Sequence, residues 1–131
     1  MGRPRVVLAE NHPFVAEMLK QLVADEFDLV GAVEDGLALV DAAQTLVPDV
    51  VVADVSMPGL DGLDALAEIK RRQPSMRVVL VTMHRDAVLA RHALEMGASG
   101  FVLKAYAPVE LGDAIRAALS GGTYVSSALT L

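Results

Sequence analysis

Residues suited to phosphoryl chemistry follow four short apolar runs of the 131-residue chain. Glu10 and Asn11 follow the first run, and later runs lead into Asp54, Thr82 and Lys104. A carboxylate can act as a nucleophile toward phosphorus. A divalent cation on nearby oxygens would screen the charge repulsion, while a lysine and a hydroxyl would bind the transferred oxygens. Each residue alone is more often a helix cap or a strand end, so the prediction depends on their convergence.

Apolar periodicity indicates how these residues converge. Short β-branched runs alternate with segments of helical spacing, and five repeats of strand then helix predict a parallel sheet covered by helices on both faces. The predicted strands are Arg5 to Ala9, Leu29 to Val33, Val50 to Ala53, Val78 to Val81 and Phe101 to Leu103. Because such sheets bind ligands beyond the carboxyl ends of their strands, the polar residues there are expected to form the functional site.

Proline and glycine help to place the five intervening helices. The predicted helices are Pro13 to Glu26, Gly36 to Val47, Leu63 to Gln73, Asp86 to Met96 and Pro108 to Ser120. Helical spacing predicts that the first helix turns an apolar face to the core, made of Phe14, Met18, Leu19 and Leu22.

Composition argues against several classes of function. The net charge of −6 disfavours nucleic-acid binding by this chain alone. No apolar stretch approaches the roughly 18 residues of a membrane helix, and the amino terminus lacks signal-peptide features. The chain has no cysteine, which excludes disulfides and suits a cytoplasmic location. His12, His84 and His92 lie on different predicted elements without metal-ligand spacing.

Four motifs follow one another along the chain. They are Glu10-Asn11-His12-Pro13, the run Asp54-Val55-Ser56-Met57-Pro58-Gly59-Leu60-Asp61-Gly62, Thr82, and Phe101-Val102-Leu103-Lys104. With these motifs the chain resembles the response-regulator receiver family of two-component signalling over nearly its whole length. His12-Pro13 and the ending Gly121-Gly122-Thr123-Tyr124 are similar to the subfamily whose receivers precede a LuxR-type helix-turn-helix.

The resemblance implies a flavodoxin-like, doubly wound α/β fold of five parallel strands, (βα)5, in the order 2-1-3-4-5. Residues 1–122 would form the receiver domain, and residues 123–131 a carboxyl-terminal tail or linker stub. Whether the chain is a stand-alone receiver or the front of a longer regulator stays open.

The resemblance also implies roles for the polar residues. Asp54 would accept phosphate from a histidine kinase, and Lys104 would pair with the phosphoryl group. Thr82 would swing toward that group, and Phe101 would move inward into the vacated space. Phe101 could equally be a core aromatic on an edge strand. The ligands of a neighbouring Mg²⁺ would be Glu10, Asn11, Asp54 and the backbone carbonyl of Ser56.

As such a receiver, the chain would be a signalling switch rather than an enzyme, catalysing only its own phosphotransfer and dephosphorylation. Its partners would be a histidine kinase and either its own output domain or a partner protein. A homodimer is a further alternative. No membrane partner and no direct nucleic-acid contact are expected.

Two residues depart from the family pattern. Asn11 stands where the family usually has an acid, so we expect weakened Mg²⁺ binding, although Asn11 could instead cap the first helix. Ala105 follows Lys104 where receivers commonly have a proline after a cis bond, and a non-proline cis bond costs about 3 kcal/mol, so a trans bond is predicted.

Two rival functions follow from these observations. Asn11 motivates a receiver-like interaction module with weak or no phosphorylation. A flavodoxin-like enzyme that binds a flavin or nucleotide is the other rival. It is disfavoured because the first strand leads into Glu10-Asn11-His12-Pro13 and not into a glycine-rich loop.

Overall fold

A computed structural model describes residues 2–129 of the chain. Strands and helices alternate as predicted, and their ends agree with the predicted ends to within one residue. The strands are β1 (Arg5–Ala9), β2 (Asp28–Val33), β3 (Val50–Asp54), β4 (Arg77–Thr82), β5 (Gly100–Leu103) and β6 (Tyr124–Val125). The α-helices are α1 (Pro13–Glu26), α2 (Gly36–Leu46), α3 (Gly62–Arg72), α4 (Ala87–Glu95) and α5 (Ala107–Leu119).

The strands form one parallel sheet in the order β2-β1-β3-β4-β5-β6. The predicted order of the first five strands is therefore confirmed. The sixth strand was not predicted: residues 123–131 were expected to be a tail, yet Tyr124 pairs with Gly100 and Val125 with Phe101. Part of that segment therefore belongs to the sheet, and β5 is not an edge strand. Residues 130 and 131 lie outside the described part.

Apolar side chains fill both faces of the sheet. One cluster joins the sheet to α2, α3 and α4 and includes Leu39, Leu66 and Phe101, and the other joins it to α1 and α5. Alternate residues of each central strand point to opposite clusters, which explains why these strands are apolar throughout. No helix within residues 2–129 has the length and apolar character needed to cross a bilayer.

The predicted apolar face of α1 was wrong at one position. Leu19 is buried, whereas the Phe14 side chain is 86% exposed. Phe14 lies in the first turn of the helix, directly after the β1–α1 connection, so it stands beside the carboxyl edge of the sheet and not over it.

Candidate functional site

Four of the predicted polar residues are buried at the carboxyl edge of the sheet. Glu10 follows β1, Asp54 and Thr82 are the last residues of β3 and β4, and Lys104 follows β5. Their exposed fractions lie between 2% and 7%. Charged side chains are rarely buried this deeply unless they are paired. The convergence expected from the strand ends is therefore present.

Lys104 pairs with two carboxylates. Its Nζ lies 2.8 Å from Glu10 Oε1 and 3.0 Å from Asp54 Oδ2. Burial raises the pKa of Glu10, and the negative charge of Asp54 adds to this, while Lys104 and the His12 amide act in the opposite direction. The His12 N–H donates to Glu10 Oε2 over 3.1 Å. One buried ammonium thus holds two acids together.

The loop after β3 holds the carboxylate of Asp54 from the other side. The Ser56 N–H donates to Asp54 Oδ1 over 3.2 Å, and the Gly62 N–H donates to the Val55 carbonyl over 2.8 Å. A Cβ on Gly62 would lie 2.3 Å from the Asp54 carbonyl oxygen, so only glycine fits there. The start of α3 therefore packs directly against the backbone of Asp54.

Thr82 is buried, and its hydroxyl is engaged locally. The His84 N–H donates to Thr82 Oγ1 over 3.2 Å. A movement of this hydroxyl toward a group on Asp54 would have to release that amide. His84 lines the same cavity as Asp54 and Lys104.

Phe101 is completely buried, in the same apolar cluster as Ala90 and Ala93 of α4. This burial agrees with the interpretation of Phe101 as a core aromatic, although β5 is not the edge strand that the interpretation assumed. The switch role of Phe101 stays a prediction.

The connection from β5 to α5 is direct. Lys104–Tyr106 forms a short 3-10 helix that runs straight into α5, and no peptide bond within residues 2–129 is cis. The predicted trans bond between Lys104 and Ala105 is confirmed. Lys104 is therefore held in place by the end of β5 and by its ion pairs.

Oxygen atoms suited to a hard cation surround a cavity of about 300 Å³ at this edge. Glu10, Asn11, Asp54 and Ser56 all line it. Glu10 Oε1 is buried, and its partner among the described residues is the Lys104 ammonium at 2.8 Å, which a metal ion would have to replace or share. Carboxylate and carbonyl oxygens are the ligands that Mg²⁺ prefers. The residues present therefore fit a Mg²⁺ ion.

The negative charge available to a cation is limited. Within residues 2–129 no three side chains among His, Cys, Asp and Glu are grouped as metal ligands would be. Asn11 is exposed at the rim of the cavity. His12 occupies the N-cap position of α1 and makes no side-chain capping bond. The alternative role of Asn11 as the cap of this helix is therefore not supported.

A buried polar cluster that sequence reasoning missed lies next to the end of β5. Glu110 is 6% exposed and Ser126 is 1% exposed. A signal was available in the helical period, since Glu110 shares the buried face of α5 with Ala107, Leu111 and Ala114. An acid on an apolar face requires buried hydrogen-bond partners.

The chain is similar in sequence and in fold to known response regulators. Residues 6–116 match the family model of the response regulator receiver domain. The nitrate/nitrite response regulator protein NarL of Escherichia coli strain K12 is 33% identical over 129 residues, covering 95% of this chain and 59% of NarL. A two-component response regulator of the LuxR family from Aurantimonas sp. SI85-9A1 gives a TM-score of 0.91 at 32% identity, over 95% of this chain and 91% of the other.

A third relative is the isolated REC domain of RcsB from Salmonella enterica serovar Typhimurium, whose structure was determined in the presence of the phosphomimetic BeF3−. It gives a TM-score of 0.86 at 29% identity, over 95% of this chain and 94% of that domain. The chain spans about half the length of the curated relatives it matches. With the family model covering most of the chain and the acids and lysine at the expected sheet edge, this chain belongs to the response regulator receiver domain family.

Proposed function

We propose that this receiver domain takes a phosphoryl group from a histidine kinase onto Asp54 and thereby changes its output surface. The observation that carries the proposal is the arrangement around Asp54. Lys104 Nζ lies 3.0 Å from one carboxylate oxygen, and the Ser56 N–H contacts the other. The cavity beside this carboxylate opens to solvent, so a phosphoryl donor can reach it.

In the proposed reaction a carboxylate oxygen of Asp54 forms a bond to phosphorus while the bond from phosphorus to the kinase histidine nitrogen breaks. The nitrogen keeps the electron pair of that bond, and the product is an aspartyl phosphate. Lys104 remains beside the new group and binds its oxygens through charge-assisted hydrogen bonds. A bound Mg²⁺ would neutralise charge on the transferred oxygens. Glu10, Asn11, Asp54 and the Ser56 carbonyl are the groups that would hold it.

The switch would act through Thr82. Its hydroxyl accepts from the His84 amide in this conformation, and a phosphoryl group on Asp54 offers it a stronger, charged acceptor. Movement of Thr82 would rearrange the β4–α4 connection and the neighbouring α4, β5 and α5 surface. Such a change is a two-state equilibrium biased by one local charge.

The relatives support a role in transcription regulation for a longer protein. NarL is a response regulator of which this chain matches a little over half, and the Aurantimonas relative is of the LuxR family. We therefore propose that this receiver controls a LuxR-type output domain, with homodimer formation as one means of doing so.

Intact-mass measurement after incubation with acetyl phosphate and Mg²⁺ tests the phosphoacceptor assignment. The wild type should gain one phosphoryl group, and Asp54→Asn should gain none, because an amide is a poor nucleophile of nearly the same volume. Asp64→Asn is the matched control, since Asp64 is an exposed acid of α3. An equal gain in Asp54→Asn and wild type would refute the assignment.

A second candidate function is an interaction module that works without phosphate. It is favoured by Asn11, which lines the cavity where an additional negative charge would bind the cation. A wild type that gains no mass, but gains it once Asn11→Asp is introduced, would select this candidate.

A further inference from the structure

Ser126 connects the segment after β6 to the last residues of β5. Its N–H donates to the Phe101 carbonyl over 3.0 Å. Its hydroxyl accepts from the Leu103 N–H over 2.8 Å in a buried position. Leu103 immediately precedes Lys104. One serine therefore holds the backbone of β5 at two points next to the lysine of the site.

Glu110 of α5 completes this connection. The Ser126 hydroxyl donates to Glu110 Oε1 over 2.5 Å. The other carboxylate oxygen accepts from the Ser127 N–H over 3.1 Å and from the Ser127 hydroxyl over 3.0 Å. The Ser126 hydroxyl thus donates to α5 while it accepts from β5, which leaves it no freedom to turn away.

The arrangement is unusual because Glu110 forms no ion pair among the described residues. Burial would raise the pKa of Glu110, but the hydrogen bonds from Ser126 and Ser127, with a smaller contribution from Tyr124, outweigh it and lower the pKa. A buried carboxylate that is hydrogen-bonded to neutral donors becomes less stable with each donor that is removed. The carboxylate therefore holds residues 126 and 127 against the domain.

We propose that Ser126 and Glu110 are positioning residues that hold the end of β5 so that Lys104 reaches Asp54. The expected effect on phosphorylation rests on the proposed function. The effect on the position of Lys104 does not, because it concerns the unphosphorylated protein. The Leu103 N–H donates to the Ser126 hydroxyl in a buried position. Loss of the Ser126 hydroxyl would leave this amide buried and unpaired, which favours displacement of the strand end.

The geometric part is tested without phosphate by NMR. In Ser126→Ala the Leu103 amide should exchange faster with solvent, and the side-chain carboxyl carbon resonances of Glu10 and Asp54 should shift as Lys104 moves. Ser126→Thr, which restores a hydroxyl, should restore both signals. Ser120→Ala is the control, because its hydroxyl contacts only the Arg116 carbonyl at the exposed end of α5.

Ser127→Ala provides a milder second variant in case Ser126→Ala does not fold. It removes one donor from Glu110 and leaves the bond between Ser126 and Leu103. We expect smaller shifts of the same carboxyl resonances. Unchanged Glu10 and Asp54 resonances in a folded variant whose Leu103 amide exchanges faster would overturn the proposal, because the serines would then be structural only.

The consequence is tested by phosphorylation kinetics with acetyl phosphate and Mg²⁺. The maximal rate of Ser126→Ala should fall about fivefold, with little change in the acetyl phosphate concentration that gives half that rate. In a Lys104→Ala background the same substitution should have no further effect, because it acts through Lys104. An equal loss in both backgrounds would contradict this. A wild type that takes up no phosphate would refute the proposed function instead, and the NMR comparison would still decide the positioning role.

Discussion

Lys104 Nζ lies 2.8 Å from Glu10 Oε1, so a buried ammonium contacts the acid that would also bind a metal ion. The same ammonium contacts Asp54. Two carboxylates are thereby kept close together without a metal, which would otherwise be costly in a buried pocket. A cation that enters this pocket has to compete with Lys104 for both of them.

This competition predicts opposite effects of Lys104 on metal binding and on phosphorylation. Lys104→Met keeps most of the side-chain volume but removes the charge, so Mg²⁺ affinity should rise, on the order of tenfold. Phosphorylation by acetyl phosphate should nevertheless slow, because the phosphoryl oxygens lose a charged donor. Titration with Mg²⁺ and intact-mass kinetics measure the two effects, with Lys104→Arg as the charge-conserving control. Unchanged Mg²⁺ affinity in Lys104→Met would show that no competition takes place.

Gly62 provides a prediction about the support of Asp54. An alanine Cβ would lie 2.3 Å from the Asp54 carbonyl oxygen and 2.7 Å from Val55 Cα, so α3 and the loop must separate. Gly62→Ala should lower the free energy of unfolding by about 2 kcal/mol and slow phosphorylation.

Urea unfolding measures the loss of free energy of unfolding in Gly62→Ala, with Gly112→Ala of α5 as the control. There the added Cβ meets only the ends of the flexible Arg116 and Glu26 side chains, and alanine is the better helix former. Equal stability of the two variants would mean that the Asp54 loop is less tightly packed than the distances indicate.

The order of elements and the place of the site could be predicted because both depend on local signals. Short apolar runs that end in polar residues mark the carboxyl edge of a parallel sheet, and Asp54, Thr82 and Lys104 stand at such ends. The trans bond at Ala105 followed from the intrinsic cost of a cis bond.

The remaining features depend on tertiary contacts that no periodicity reveals. β6 is only two residues long, and Ser126 makes its contacts with β5 and α5 at sequence distances of 23 and 16 residues. Phe14 follows the helical period yet is exposed, because the period indicates a face but not how far the sheet extends beneath it. The burial of Phe101 likewise depends on α4.

Glu110 predicts a pH dependence of stability. Its pKa in the folded protein is lowered from an ordinary value of 4.5, so the folded state binds its proton less readily than the unfolded state does. The stabilisation is therefore present above about pH 4.5 and is lost as the pH falls through the folded-state pKa. The pKa of Glu10 is raised, so its contribution to stability has the opposite pH dependence: it is most favourable at low pH and becomes less favourable as the pH rises.

Glu110→Gln isolates this contribution. The variant should be less stable than the wild type at neutral pH, and the difference should shrink as the pH falls below 4.5. Urea unfolding at a series of pH values measures it, and Glu95→Gln, which removes an exposed acid of α4, controls for the lost charge. A difference that stays constant with pH would show that the carboxylate of Glu110 does not stabilise the fold as an anion.

We expect Asn11 to limit the affinity of the site for Mg²⁺. The cavity is lined by the carboxylates of Glu10 and Asp54, and Asn11 adds an amide oxygen without charge. Ligand charge is a principal determinant of affinity for a hard cation. Asn11→Asp should therefore tighten Mg²⁺ binding on the order of tenfold and speed phosphorylation by acetyl phosphate.

The control for Asn11→Asp is Ser75→Asp, which adds the same charge at an exposed position just before β4, at the opposite edge of the sheet. If Mg²⁺ is attracted only to the more negative protein, both variants should bind it more tightly to the same extent. If residue 11 is a ligand at the site, only Asn11→Asp should bind Mg²⁺ more tightly. Asn11→Asp should change the free energy of unfolding little, because His12 and not Asn11 is the N-cap of α1. An effect on helix capping is therefore separable from an effect on Mg²⁺ binding. Equal Mg²⁺ dissociation constants for wild type and Asn11→Asp would remove Asn11 from the metal site, and with it the reason to expect weakened phosphorylation.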